Sequence, residues 1–152
     1  MSTVNSLKTR VIDDMKTAMR AGDKEALGAI RLILAAIKQV EVDTRKELED
    51  AEILAVLDKM RKQRRESIES FQQAARQDLV DKELAELQII ERFLPQALSD
   101  AEVEALIESA VATTNAASLR DMGKVMALLK PQLQGRADIS AVSGRIKARL
   151  GG

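Results

Sequence analysis

Apolar residues recur every three or four positions along most of the chain, which is the spacing of an amphipathic α-helix. No segment shows the sustained alternation that is typical of a β-strand. The first apolar stripe predicts a helix from about Ser6 to Arg20, ended by Gly22, and Asp23 is placed to cap a second helix. The residues that mark these two helices are Leu7, Val11, Met15, Ala18 or Met19, and then Leu27, Ile30, Leu34 and Ile37.

Two longer stripes follow the charged segment 43–50, DTRKELED, which we interpret as a connector. Asp50 is placed to cap a third helix. Pro95 ends a fourth helix, because proline disfavours helical geometry in the residue before it. The apolar residues are Ile53, Leu57, Met60, Ile68 and Phe71 in the third helix, and Leu79 or Val80, Leu84, Leu87, Ile90 and Leu94 in the fourth.

Shorter helices are predicted in the last third of the chain. Ser99 and Glu102 fit the capping box S-x-x-E, which marks the start of a helix. Ser118 can cap the next helix, which Pro131 is expected to end, and Asp138 can cap the last one. Their apolar residues are Val103, Leu106, Ile107 and Ala110, then Leu119, Met122, Val125, Met126 and Leu129, and finally Ile139, Val142, Ile146 and Leu150.

The change in helix length near Pro95 predicts two domains. We expect an all-α fold with two helical modules. Residues 1–95 form a longer-helix N-terminal bundle of about four helices, and residues 96–152 form a three-helix C-terminal module.

Composition excludes several kinds of chemistry. The 152 residues include no cysteine and no histidine, which rules out disulfides, thiolate metal sites and Ser-His-Asp catalysis. Two phenylalanines are the only aromatic residues, so base stacking on aromatic side chains is not expected. No apolar run approaches the roughly 18 residues of a membrane span, and the first residues lack the apolar core of a signal peptide. We therefore expect a cytoplasmic protein with no membrane contact, no metal, no cofactor and no catalytic residue.

Charge is balanced overall, with 24 basic and 24 acidic residues, but it is unevenly distributed. Residues 95–119 hold acidic groups only, whereas residues 120–152 hold seven basic and two acidic ones. A local basic surface of this kind can bind phosphates. The candidate RNA-phosphate contacts are Lys124, Lys130, Arg136, Arg145 and Arg149. Arg145 and Arg149 share one flank of the last helix, where solvated surface is the equally favoured alternative.

A second basic cluster, Arg61, Lys62 and Arg65, lies in the third helix. Its residues are expected to face solvent, roughly opposite the apolar stripe, and to serve as secondary RNA contacts. The alternative is a helix surface whose charges are paired with acids four positions away.

Two glycines near the C-terminus are also candidates. Gly123 predicts a close helix crossing or close approach by a ligand backbone, and Gly135 is placed to end a turn. Gly135, Arg136 and the start of the last helix could together hold a phosphate, unless Asp138 occupies those N–H groups itself.

Four segments resemble the GatB/YqeY family, which comprises stand-alone YqeY-type proteins similar to the C-terminal tail of the B subunit of tRNA-dependent amidotransferases. They are IRLILAAIK, KQRRESIESF, AELQIIERFLPQALS and DMGKVMALLKPQLQGRAD, and the resemblance covers essentially the whole chain. It implies a two-part helical structure and a tRNA-linked role, because the amidotransferase tail helps to hold the body of the tRNA.

The leading hypothesis is a non-catalytic accessory module that binds tRNA or another structured RNA. Any glutamine-dependent carbon–nitrogen ligase activity would belong to the family's multi-subunit enzyme. The alternatives are an accessory subunit of an amidotransferase or aminoacyl-tRNA synthetase complex, and a helical protein–protein adaptor.

Overall fold

The computed structural model describes residues 6–151 and contains seven α-helices and one short 3-10 turn in that range. The helices are α1 (Ser6–Ala21), α2 (Lys24–Thr44), α3 (Asp50–Gln73), α4 (Gln77–Glu91), α5 (Asp100–Thr114), α6 (Met122–Leu133) and α7 (Ile139–Gly151), and the 3-10 turn is Leu119–Asp121. The described residues form no β-strand, so the predicted all-α fold is confirmed. None of these helices combines the length and apolar character needed to cross a membrane.

The chain divides into two compact units, the first ending at Pro95 and the second beginning at Gln96. The first unit holds α1 to α4, and the second holds α5, the 3-10 turn, α6 and α7. Each unit buries an apolar core of its own.

Isoleucines of α2 are central to the core of the first unit. Ile30, Ile33 and Ile37 are almost completely buried at helical spacing, and Leu48 is completely buried. Leu48 belongs to the connector between α2 and α3, and its backbone N–H donates to Glu41 Oε2 at 3.0 Å. The connector is therefore an anchored part of the core and not merely a charged linker.

Local capping signals account for the starts of two helices. The side chain of Asp23 accepts a hydrogen bond from the Ala26 N–H at 3.1 Å, directly after Gly22 with its φ of +69°. The hydroxyl of Ser99 accepts from the Glu102 N–H at 3.1 Å, and the Glu102 carboxylate accepts from the Ser99 N–H at 3.1 Å. Both predicted caps are confirmed.

Asp50 caps a different helix from the one predicted. Helix α3 starts after Glu49, whose N–H donates to the Glu52 carboxylate at 3.1 Å. The Asp50 carboxylate instead accepts hydrogen bonds from the Leu7 N–H, at 3.0 Å, and from the Ser6 hydroxyl. The start of α1 is thus stabilised by a residue 43 positions later in the chain.

The core of the second unit corrects the prediction that Pro131 ends its helix. Helix α6 continues to Leu133, and Val125, Leu129 and Leu133 are all completely buried. Because Pro131 lies in the last turn, its missing N–H removes a single helical hydrogen bond. Burial of Leu133 outweighs that loss, and the chain turns after it at Gly135, with φ +75°.

Candidate nucleic-acid interface

Two arginines of α7 pair with two glutamates of α5. Arg145 contacts Glu104 at 2.5 Å, and Arg149 contacts Glu108 through two hydrogen bonds of 2.8 and 3.2 Å. The two arginines are four positions apart on α7, and the two glutamates are four positions apart on α5. Both spacings correspond to about one helical turn, so successive turns of α7 pair with successive turns of α5. The side chains stay 35–53% exposed, which makes these surface ion pairs.

The second of these ion pairs perturbs both of its members. The Arg149 guanidinium holds the pKa of Glu108 below the usual range of a glutamate, and Glu108 raises the pKa of Arg149. Both groups are therefore charged at neutral pH. A phosphate that approached Arg149 would compete directly with the Glu108 carboxylate.

Arg136 stabilises the loop between α6 and α7. Its Nε donates to the Gln96 carbonyl at 3.1 Å, and its own carbonyl accepts from the Leu98 N–H at 2.9 Å. The pKa of nearby Glu102 is lowered chiefly by its hydrogen bonds with Ser99 and further by the charge of Arg136. Arg136 therefore has a structural role beside the phosphate contact predicted for it.

The two predicted lysines of α6 are well exposed. The Lys124 side chain is 70% exposed, and its Nζ lies 3.9 Å from Asp121 Oδ1. The Asp121 carboxylate accepts hydrogen bonds from the backbone N–H groups of Ala117 and Ser118, and these hydrogen bonds are the main cause of its lowered pKa. Lys130 is exposed and forms no ion pair with the described part of the chain. At ~100° per residue the two lysines lie about 120° apart around α6, so they do not share one face.

The α3 cluster corrects one predicted orientation. Arg61 pairs with Asp58 and is only 9% exposed. At ~100° per residue it lies about 80° from Ile53, on the flank of the buried stripe, and not opposite it. The expectation that Arg61 faces solvent is therefore wrong. Lys62 is exposed, and Arg65 reaches across to Glu91 of α4 at 3.3 Å.

The two glycines have different surroundings. A Cβ at Gly123 would meet no atom within 4 Å, so the predicted close helix crossing is wrong. Gly135 is buried and has a positive φ, a conformation that favours glycine. The Asp138 carboxylate accepts a hydrogen bond from the Ser140 N–H at 3.0 Å, so Asp138 itself occupies the start of α7. This is the arrangement that was given as the alternative to a phosphate site there.

The structure thus brings together Arg145 and Arg149, but it does not gather all the predicted cations into one patch. The sequence interpretation missed the partners Glu104 and Glu108. Their signal was present, because an acidic pair and a basic pair with the same spacing of four occur in two neighbouring helices. Within residues 6–151 no group of three or more metal-ligating side chains is arranged to hold a metal ion.

Comparison with known proteins decides the family. The family model described as Yqey-like protein matches residues 8–150. The chain belongs to the YqeY-like family. The resemblance inferred from the four sequence segments is confirmed at this level.

Three relatives of this YqeY-like chain are fungal proteins. It is 31% identical over 150 residues to "Altered inheritance of mitochondria protein 41, mitochondrial" of Pyrenophora tritici-repentis, covering 97% of this chain and 82% of the relative. It is 42% identical over 82 residues to the protein of the same name from Eremothecium gossypii, covering 53% of this chain and 45% of the relative. The protein of that name from Lachancea thermotolerans is 36% identical over 99 residues, covering 63% of this chain and 53% of the relative.

These names correct the expected location. The relatives are named as mitochondrial proteins, which contradicts the cytoplasmic location expected for this chain. The error has a physical reason: balanced charge and a sequence without cysteine are compatible with either compartment, so composition does not distinguish them. The chain spans 82% of the first of these relatives and about half of the other two.

Proposed function

We propose that this YqeY-like chain is a non-catalytic accessory module that binds tRNA or another structured RNA through its second unit. The observation that supports the proposal is the composition of α7, which carries Arg145, Lys147 and Arg149 and no acidic residue. Among residues 6–151, exposed carboxylates of α5 are the ion-pair partners of its two arginines.

Exposed ion pairs of this kind are exchangeable. They contribute little to stability and are screened by salt. A phosphate accepts the same planar fork of N–H groups that a carboxylate does, and binding it releases counterions from the nucleic acid. Arg145 and Arg149 are one turn apart, about 6 Å along the helix axis, and are already ordered for such an exchange.

The chemistry of the described surface favours backbone over base recognition. Both phenylalanines pack within the first unit, where Phe93 is buried and its ring lies under the Arg10 guanidinium at 5.4 Å. Phe71 is partly buried. Cations without aromatic platforms are suited to the phosphates and 2′-hydroxyls that an A-form helix displays.

The proposal is tested by tRNA binding, measured by fluorescence anisotropy across a range of salt concentrations. Replacing both Arg145→Gln and Arg149→Gln should weaken binding about tenfold and reduce the slope of log affinity against log salt by about 2. Replacing both Glu104→Gln and Glu108→Gln removes the competing carboxylates and should strengthen binding.

Arg76→Gln is the matched control, because Arg76 is an exposed arginine paired with exposed Asp78 in the first unit. It should leave tRNA affinity unchanged. The proposal fails if the protein does not bind tRNA at low salt, or if the two glutamate replacements leave the affinity as it was.

A second candidate is an accessory subunit of a glutamine-dependent carbon–nitrogen ligase or aminoacyl-tRNA synthetase complex, or a protein–protein adaptor. An open groove of about 560 Å³ in the second unit favours it, since Leu98, Leu106 and Pro131 supply apolar surface there. Co-purification of a defined protein partner that persists after nuclease treatment would support this candidate. Partners that disappear with the RNA would support RNA binding instead.

A further inference from the structure

A second open pocket, of about 380 Å³, lies in the first unit near the C-terminal end of α2. Its charged lining consists of Lys8, Lys38, Arg45 and Lys46 together with Glu41 and Glu47. Four cations against two carboxylates leave an excess of positive charge. None of these residues belongs to the basic clusters considered above.

One of the two acids, Glu41, is largely occupied by donors of the chain itself. The Lys8 ammonium donates to both Glu41 oxygens, at 3.0 and 2.9 Å, and the Leu48 N–H donates to Oε2 at 3.0 Å. These contacts, with a smaller effect of the charge on Lys38, hold the pKa of Glu41 below its usual range. Glu41 is therefore the internal counterion of Lys8, and it presents little free acceptor capacity to the pocket.

The other acid lies at the rim. The Glu47 side chain is 64% exposed, and its carboxylate is 3.7 Å from the Lys8 ammonium. Lys46 has a partner outside the pocket lining, Glu52, at 2.7 Å. Glu47 is thus the acid that opposes binding of an anion, and it can be removed without disturbing the Glu41 contacts.

Two cations of the pocket remain available. Lys38 and Arg45 are exposed, and neither forms an ion pair with any residue between 6 and 151. Lys38 lies on α2, and Arg45 directly follows the last residue of that helix, in the left-handed conformation with a φ of +58°. Both residues line the same pocket. The backbone N–H groups of Arg45 and Lys46 both donate to the Glu41 carbonyl, which reduces the negative potential at this helix end.

We propose that this pocket binds a phosphate group, contacted by Lys38 and Arg45, with Lys8 and Lys46 adding positive charge around it. The phosphate belongs to a free phosphorylated compound or to a nucleic-acid backbone. The site is in the first unit, and it does not depend on RNA binding by α7.

The test follows backbone amide NMR signals of the full chain during titration with inorganic pyrophosphate, against sodium chloride at equal ionic strength. Saturable shifts around Lys38, Arg45 and Leu48 are expected with pyrophosphate alone. Lys38→Gln should weaken binding at least about tenfold, the effect of losing one charge-assisted contact. Lys82→Gln, an exposed lysine of α4 outside the pocket, should have no effect.

Two further variants separate binding from folding. Arg45 has a φ of +58°, so Arg45→Gly suits the backbone, and the melting temperature should stay the same or rise while binding weakens. Glu47→Gln removes the opposing charge and should strengthen binding about two- to threefold.

The two sources of phosphate are distinguished by a parallel titration with a short RNA. Saturation by pyrophosphate alone identifies a free phosphorylated compound, and tighter binding of the RNA at the same amides identifies a nucleic-acid backbone. The proposal is overturned if neither ligand produces shifts beyond those of chloride. It is also overturned if Lys82→Gln weakens binding as much as Lys38→Gln does.

Discussion

Leu48 offers the sharpest test of the core of the first unit. It lies in a segment whose sequence, DTRKELED, is almost entirely charged, yet its side chain is completely buried. Replacing it with alanine removes the apolar contacts and leaves a cavity among the helices, which costs about 2–5 kcal/mol for a buried leucine. A unit of this size is stable by only about 5–14 kcal/mol, so the loss is a large fraction of the total.

The assay is urea and thermal unfolding, followed through NMR amide signals that report each unit separately. Leu48→Ala should lower the melting temperature of the first unit by at least about 8 °C and leave that of the second unit unchanged. Leu32→Ala is the matched control, because Leu32 on α2 is 45% exposed, and it should change stability by less than about 0.5 kcal/mol. A loss below about 1 kcal/mol for Leu48→Ala would refute the reasoning, since it would mean that the connector does not seal the core.

Three other changes have defined outcomes. Ser99→Ala removes the cap of α5 and should destabilise the second unit by about 1 kcal/mol, measured by the same unfolding assay. Gly123→Ala should stabilise that unit by up to about 1 kcal/mol because the new methyl group meets open space, and a loss of stability would contradict the described surroundings. Glu41 has a lowered pKa in the folded protein. Its contribution to stability is therefore complete at neutral pH and is lost as the pH falls through this lowered pKa. Glu41→Gln should therefore lower stability at pH 7 and flatten the acid limb of a stability–pH curve, whereas an unchanged acid limb would count against the ion pair with Lys8.

Local signals in the sequence were sufficient for much of the fold. Asp23, Ser99 and Asp138 each accept a hydrogen bond from an N–H two or three residues ahead, so a capping residue and its spacing are enough to predict the start of a helix. The apolar stripes also predicted the all-α class, because helical spacing is set by residues close together in the sequence.

Predictions failed where the deciding contact comes from a distant part of the chain. Asp50 serves a helix 43 positions earlier, and nothing near it in sequence indicates that partner. Pro131 stays helical because a distant apolar core buries Leu133. Arg61 differs for a local reason, because at ~100° per residue it lies on the flank of the apolar stripe and not opposite it.

In the candidate interface, too, local features could be predicted from the sequence and distant contacts could not. Lys124 and Lys130, predicted as phosphate contacts, are exposed, and the polar face of a helix can be identified from its own residues. The partners of Arg145 and Arg149 lie 41 positions away, on the acidic helix α5. Pairing between helices needs the tertiary arrangement, which a single sequence specifies only indirectly.

The cap that Asp50 places on α1 sets an order of events during synthesis. The first turn of α1 leaves the ribosome long before residue 50 does, so the Leu7 N–H has no Asp50 acceptor until the beginning of α3 has emerged. A nascent chain stalled before that point therefore lacks the acceptor for the start of α1, and one stalled well beyond it has that acceptor available.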